Sequence, residues 1–177
     1  SQPSHHCVDD HVSHHLRFIT PAAHQECNLL LFPELSLTGP VLPDNQLPAP
    51  PTHQQLAPLH EAAQVCNLSV IAGITVDENG QRQRGLAWFS PDQPQAIVYP
   101  HGAGACLESR HSGLTLVDTH ADQPGIAPNA TLLTRSMALS EAERPATFAR
   151  LQRFAHRYAI AVLVANHDGG SALWDAR

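Results

Sequence analysis

A carboxylate stands where an unbroken apolar run ends: Asn28-Leu-Leu-Leu-Phe32 is followed at once by Pro33-Glu34. An acid closing a buried strand sits at the mouth of a sheet, partly desolvated, where its pKa can rise toward the range useful for proton transfer. The bland alternative for Glu34 is a carboxylate that caps a strand-to-loop turn. Four thiols are the other reactive groups, Cys7, Cys27, Cys66 and Cys106, and no two of them form a Cys-x-x-Cys pair. Their spacing supports neither a disulfide framework nor a zinc ribbon nor a redox motif. Cys27 and Cys66 stand at helix ends beside apolar runs and read as core or near-core thiols. Cys106 becomes a useful nucleophile only if its pKa is lowered or a base stands beside it. Among the 13 histidines, His11 and His15 have the i, i+4 spacing of helical metal ligands. No third ligand is evident and their helix face reads as solvent-exposed, so they are read as solvated surface residues. Neither a metal nor an organic cofactor is implied.

The elements that must hold these groups follow from periodicity. Val12, Leu16 and Ile19 recur at helical spacing over residues 8–26, and Pro21 is expected to break or kink that helix. The run up to Phe32 is a buried strand. Six prolines and glycines between residues 39 and 53 make a loop, and a second helix aligns Leu56, Leu59, Ala63 and Cys66. Leu68 to Ile74 reads as a strand, Asp77-Glu-Asn-Gly80 as a hairpin turn, and Gly85 to Ser90 as the returning strand, with another from Gln95 to Tyr99. Between residues 100 and 130 only Leu114 to Val117 is strand-like, and Thr131 to Thr134 is a further short strand. Ser140-Glu-Ala-Glu143 has capping-box spacing, and Pro145 is tolerable only in a first helical turn. The helix that follows aligns Phe148, Leu151, Ala155 and Tyr158, and Ile160 to Ala165 is a last buried strand. Strands and helices alternate around one hairpin, the pattern of an α/β layered domain.

The 177 residues fit one domain, residues 1–177, with enough apolar side chains for a sizeable core. A formal charge of −6 argues against nucleic acid or an anionic membrane as partner, since both need a basic footprint. No apolar run approaches the ~18–20 residues of a membrane span, and Ser1 to Asp10 lacks a signal-peptide pattern, so a cytoplasmic location is expected. The chain contains no lysine; all ten basic residues are arginine. An average chain of this length carries about ten lysines, so segments of a longer natural sequence are expected to be absent or altered.

Phe32-Pro-Glu-Leu-Ser-Leu-Thr-Gly39 closely resembles the first motif of the nitrilase superfamily of carbon–nitrogen hydrolases. The order of the remaining segments agrees: a helix before the motif, a helix and the strand Val70-Ile-Ala-Gly73 after it, then a hairpin. Later come Tyr158-Ala-Ile-Ala-Val-Leu-Val-Ala-Asn166, Gly169-Gly-Ser171 and Trp174, similar to a late core strand and a glycine-rich turn. The resemblance runs from about residue 8 to residue 177. It implies a four-layer α-β-β-α sandwich, apparently incomplete. It implies hydrolysis of a non-peptide carbon–nitrogen bond in a small amide, ureido compound or nitrile, through a Glu-Lys-Cys thiol mechanism and in a homo-oligomer. In it Glu34 is the general base that activates a cysteine.

This chain departs from the family pattern in three places. Pro40 replaces the tyrosine usual after the Thr-Gly pair. Tyr99-Pro100-His101 stands where the family has Tyr-x-Lys, so His101 takes the place of the lysine that stabilises the oxyanion. A histidine with an unperturbed pKa of ~6.5 is only partly charged at neutral pH, and a plain loop histidine is the alternative. Glu108 falls where a second, site-orienting glutamate often stands; a solvated loop residue is its alternative. For the nucleophile, one alignment sets Leu116-Val117-Asp118 at the cysteine, with valine in its place. The preferred alignment makes Leu114 to Asp118 the preceding strand, with the nucleophile strand, elbow and helix missing near residues 127–129. The rival in function is a nitrilase-fold protein without catalysis that acts as a ligand-binding or interaction module. A histidine-rich metal-binding domain is the weakest reading.

Overall fold

The computed structural model describes residues 8–100, 105–109, 114–118, 132–159, 161–166 and 171–174. The chain opens with helix α1 (Val8–His24), whose Val12, His15 and Ile19 are buried along one stripe. Pro21 does not break it: the helix runs on to His24, two residues short of the end expected from the sequence. Pro21 lies in the last turn, so the helix forgoes one hydrogen bond, while its own carbonyl still accepts from the Gln25 nitrogen at 3.1 Å.

Strand β1 (Leu29–Leu31) pairs parallel with β2 (Ser69–Glu78), Leu30 opposite Val70. Helix α2 (His53–Val65) lies between them in sequence. Its start is fixed by a capping box: Thr52 Oγ1 accepts from the Gln55 nitrogen and Gln55 Oε1 from the Thr52 nitrogen. Strand β3 (Gln81–Phe89) returns antiparallel, longer by four residues than its apolar pattern suggests. Asn79 and Gly80, at φ 56° and 79°, form the two-residue turn. Two positive φ values match the right-handed twist of the flanking strands, and Asp77 Oδ1 accepts from the Gly80 nitrogen at 2.9 Å. Strand β4 (Ile97–Pro100) completes a sheet of order β1-β2-β3-β4.

The second sheet runs β5 (Ala105–Ser109), β6 (Leu114–Asp118), β7 (Leu132–Met137), β8 (Ala161–Asn166) and β9 (Ala172–Trp174). Strands β6, β7 and β8 are parallel neighbours, whereas β5 and β9 run antiparallel at the two edges. Strands β5 and β9 carry no sequence signal strong enough to have been read. Helix α3 (Arg144–Tyr158) connects β7 to β8. Ser140 and Glu143 do make the reciprocal capping bonds, over the turn that leads into the helix, and Pro145 falls in its first turn.

Three apolar clusters order the layers. Val12 and Ile19 of α1 and Leu56, Leu59 and Ala63 of α2 pack on Val70, Ala72, Ile74, Ala87 and Phe89, one face of the first sheet. The opposite face presents Ile71, Leu86, Trp88 and Tyr99 to Leu132 of the second sheet, with Ala161 and Leu163 against them. The far face of that sheet, Leu133, Val162 and Val164, is covered by Leu151, Phe154 and Ala155 of α3. The α-β-β-α sandwich implied by the resemblance is the observed architecture.

Two sequence readings of side-chain environment are corrected. His15 is only 4% exposed, because residues 11, 12, 15 and 19 form the inward stripe of α1 and its ring lies on Phe32 at 4.2 Å between centroids. Cys27 is exposed beyond the end of α1, not a core thiol, while Cys66 packs against the outer cluster as expected.

Candidate active site

Alternation along β2 decides where Glu34 goes. Ile71, Gly73 and Thr75 share the face that looks toward the second sheet, and the turn after β1 is laid on that face. Phe32 donates its N–H to the Ile71 carbonyl at 2.8 Å, and Leu37 donates to the Gly73 carbonyl at 2.9 Å. Between these bonds the chain passes so close to β2 that a Cβ on residue 73 would lie 2.3 Å from the Leu35 nitrogen and 2.5 Å from the Pro33 oxygen. Gly73 is therefore a requirement of the turn. The contact also holds Leu35 at φ 54°, a left-handed conformation that a residue with a Cβ adopts at a cost of about 1–2 kcal/mol.

Further bonds clamp the rest of the motif. Thr75 Oγ1 donates to Thr38 Oγ1 at 3.3 Å in the buried interior. Gly39 closes the turn with its nitrogen on the Leu35 carbonyl at 2.8 Å and φ 88°, under the His11 ring. His11 Nδ1 lies 2.9 Å from the Leu37 carbonyl oxygen. A carbonyl only accepts, so Nδ1 carries the proton. His15 Nδ1 in turn donates to the His11 carbonyl at 2.6 Å. Of the α1 histidines, His11 thus braces the Glu34 turn and His15 is buried against Phe32, whereas His14 and His24 are exposed. Burial, the largest influence, pulls the His15 pKa down from 6.5 to about 4, against the opposing effect of its bond to His11.

The Glu34 side chain is 20% exposed, and its Oε1 lies 2.8 Å from Nε of Arg84. Arg84 is opposite Thr75 in the β2–β3 ladder, so it projects from the same face. Among the described residues, Glu34 Oε2 has no partner. Leu86 is opposite both Gly73 and Tyr99. With strands spaced about 4.8 Å apart, the seat of Glu34 lies roughly 10 Å across the sheet from Tyr99. Arg84 also lines an open cleft of about 700 Å³ together with Val41, Asn45, Gln46, Leu47 and Arg82. The carboxylate is therefore neither in open solvent nor sealed in the core.

His101 lies outside the described residues, as does the junction near residues 127–129. Glu108 is in β5 opposite Thr115, and Cys106 is opposite Val117. Val117 lies beside Leu133 of β7. Sequence reasoning missed Arg84, although Gln81-Arg-Gln-Arg84 ahead of Gly85 places two arginines on one face at period two. Among the described residues no group of three or more His, Cys, Asp or Glu side chains could hold a metal ion.

The comparisons with known proteins agree with this fold. Residues 7–124, more than half of the chain, match the model of the carbon–nitrogen hydrolase family. Among solved structures, an amidase from Nesterenkonia sp. is similar over 96% of this chain and 77% of its own, with a TM-score of 0.74 at 17% identity. A carbon–nitrogen hydrolase superfamily protein from Xanthomonas campestris is similar over 97% of this chain and 78% of its own, with a TM-score of 0.74 at 15% identity. A cysteine-to-alanine variant of the Nesterenkonia amidase in complex with butyramide has a TM-score of 0.69 at 18% identity, over 93% of this chain and 78% of its own. At such identities the structural likeness speaks for the fold, and the family match speaks for descent. The chain belongs to the carbon–nitrogen hydrolase family.

Proposed function

We propose that the protein hydrolyses the carbon–nitrogen bond of a small amide, with ureido compounds and nitriles as the neighbouring substrate classes, and that Glu34 is its general base. The observation that carries this reading is the Glu34 carboxylate itself, fixed on the inter-sheet face of β2 by Gly73 and opening toward solvent beside Arg84. Glu34 would take the proton of a cysteine thiol, a group that the described residues do not place beside it, and the thiolate would attack the substrate carbon. The carbon–nitrogen bond breaks as the amine leaves with a proton. Water then cleaves the thioester, giving the acid and restoring the thiol.

Cys27 and Cys66 do not face this site: one is exposed beyond α1 and the other packs on the outer cluster. The direct pairing of β6 with β7 fits both alignments, valine at the position of the nucleophile or a nucleophile strand missing near residues 127–129. A second reading stands on a specific observation. A chain with no lysine and with valine at that position fits a carbon–nitrogen hydrolase fold that binds a ligand or partner without turnover. His101 and Glu108 keep their proposed places, as donor and orienting carboxylate, in the catalytic reading.

That reading also has the protein act in the cytoplasm as a homo-oligomer. Among the described residues no helix is long and apolar enough to cross a membrane.

The test is nitrogen release from a panel of aliphatic amides, ureido acids and nitriles, with butyramide and acrylamide included because the Nesterenkonia amidase variants bind them. Hydrolysis of any panel member that disappears in Glu34→Gln supports catalysis. A folded protein that binds butyramide but releases no ammonia establishes the binding module.

A further inference from the structure

We infer that Arg84 supplies the fixed positive charge of the hydrolase site, both holding Glu34 in its working orientation and facing the oxygen on which negative charge develops. The inference rests on the hydrolase reading of Glu34. Attack on an amide carbon moves charge onto the carbonyl oxygen, and a preorganised cation there is among the largest single contributions to rate. No lysine exists anywhere in the chain to provide it. Among the described residues, Arg84 is the guanidinium that the fold brings to Glu34, at 2.8 Å through Nε.

The geometry of that contact is informative. Nε takes Oε1, and Glu34 Oε2, which has no partner among the described residues, is the oxygen assigned to accept a proton. On the arginine side, Nε is one of five N–H donors, and the remaining four sit on the two terminal nitrogens of the fork. Arg84 is 48% exposed and lines the cleft of about 700 Å³, whereas Glu34 is not among its lining residues. The neighbour of Arg84 on the same strand face, Arg82, donates from Nη1 to the Leu47 carbonyl at 2.8 Å, while the ion pair of Glu34 is with Arg84. The backbone supports the placement, because Arg84 is fixed in the β2–β3 ladder opposite Thr75 and Thr75 is tied to the Glu34 turn through Thr38.

The experiment compares wild type, Glu34→Gln, Arg84→Gln, Arg84→Lys and Arg84→Ala on the best amide of the panel, each checked for an unchanged thermal transition. Arg84→Gln is expected to lower kcat by about 100-fold with KM changed by less than about threefold, the signature of an interaction made in the transition state. Arg84→Lys recovers at least about tenfold of that loss, and ethylguanidinium added to Arg84→Ala restores measurable turnover. If Arg84→Gln stays within about threefold of wild type while Glu34→Gln is inactive, the inference is overturned and the hydrolase reading stands. Equal losses in the Gln and Lys variants without rescue by ethylguanidinium assign Arg84 a structural role and also overturn it. A wild type that releases no nitrogen from any substrate removes the hydrolase reading and this inference with it.

Discussion

Gly73 and Leu35 are in backbone contact across the β1–β2 junction, so close that any Cβ at residue 73 would fall 2.3 Å from the Leu35 nitrogen. The contact converts a strand glycine into the floor of the turn that carries Glu34. It joins the first sheet to the candidate site without any side-chain intermediary. What sits on that floor is set by two backbone bonds, to the carbonyls of Ile71 and Gly73.

The first prediction follows from that contact. In Gly73→Ala the nearest neighbours of the new methyl are backbone atoms that cannot swing aside, so the turn must lift off β2. Overpacking of this kind costs about 1–3 kcal/mol. Chemical denaturation should show a loss in that range, and nitrogen release should fall with it even where the variant remains folded. A Gly73→Ala protein with wild-type stability and activity would show that the turn is not seated as described.

A second prediction concerns pH. His15 is buried among apolar neighbours with His11 and His14 close by, and its pKa in the folded protein is about 4 against 6.5 unperturbed. Between these values the unfolded chain binds a proton that the folded one refuses. The stability associated with neutral His15 is therefore complete above about pH 6.5 and is lost as pH falls toward 4. The total is on the order of 3 kcal/mol for a shift of this size. Denaturation midpoints measured from pH 7 to pH 4 should fall steeply in wild type and less steeply in His15→Leu. Parallel curves for the two proteins would contradict the assignment.

A third prediction separates bracing from catalysis. His11 Nδ1 donates to the Leu37 carbonyl, and His11→Ala removes that bond and the ring above Gly39. A lost hydrogen bond of this kind costs about 1 kcal/mol. The expected outcome is reduced thermal stability with substantial turnover retained, in contrast to Glu34→Gln. A His11→Ala protein as inactive as Glu34→Gln would instead place His11 in the chemistry.

The fourth concerns the start of α2. Thr52 and Gln55 form a reciprocal cap, and Thr52→Ala should cost about 1 kcal/mol without altering activity. Equilibrium unfolding measures this directly.

Much of this was legible in the residues. The apolar run before Pro33, the Asn79-Gly80 turn and the period of Leu56, Leu59 and Ala63 each fix an element through local patterning, and the layered fold follows from their order. The Glu34 motif was legible for the same reason, since the acid closes a strand. The partner of Glu34 was not. Arg84 lies 50 positions away in a strand segment with four exposed residues, where no apolar alternation announces a strand. Its approach depends on register, a long-range property. His15 was misread because a histidine carries no sign of which helix face will be buried; only the packing of α1 on Phe32 decides that. Cys27 was misread in the opposite sense, since α1 ends at His24 and leaves it in a solvent-facing turn. Strand β5 escaped notice because Ala105 to Ser109 mixes apolar and polar residues without a clear period.

The most direct measurement is the rate of ammonia release from butyramide by wild type and by Glu34→Gln, at matched concentrations of folded protein. The substitution keeps the shape of the side chain and removes its capacity to accept a proton. The account predicts turnover in wild type and a loss of at least about 100-fold in the variant, the scale of general-base contributions. Equal rates in the two proteins would contradict it, because the carboxylate seated on Gly73 would then have no part in the reaction.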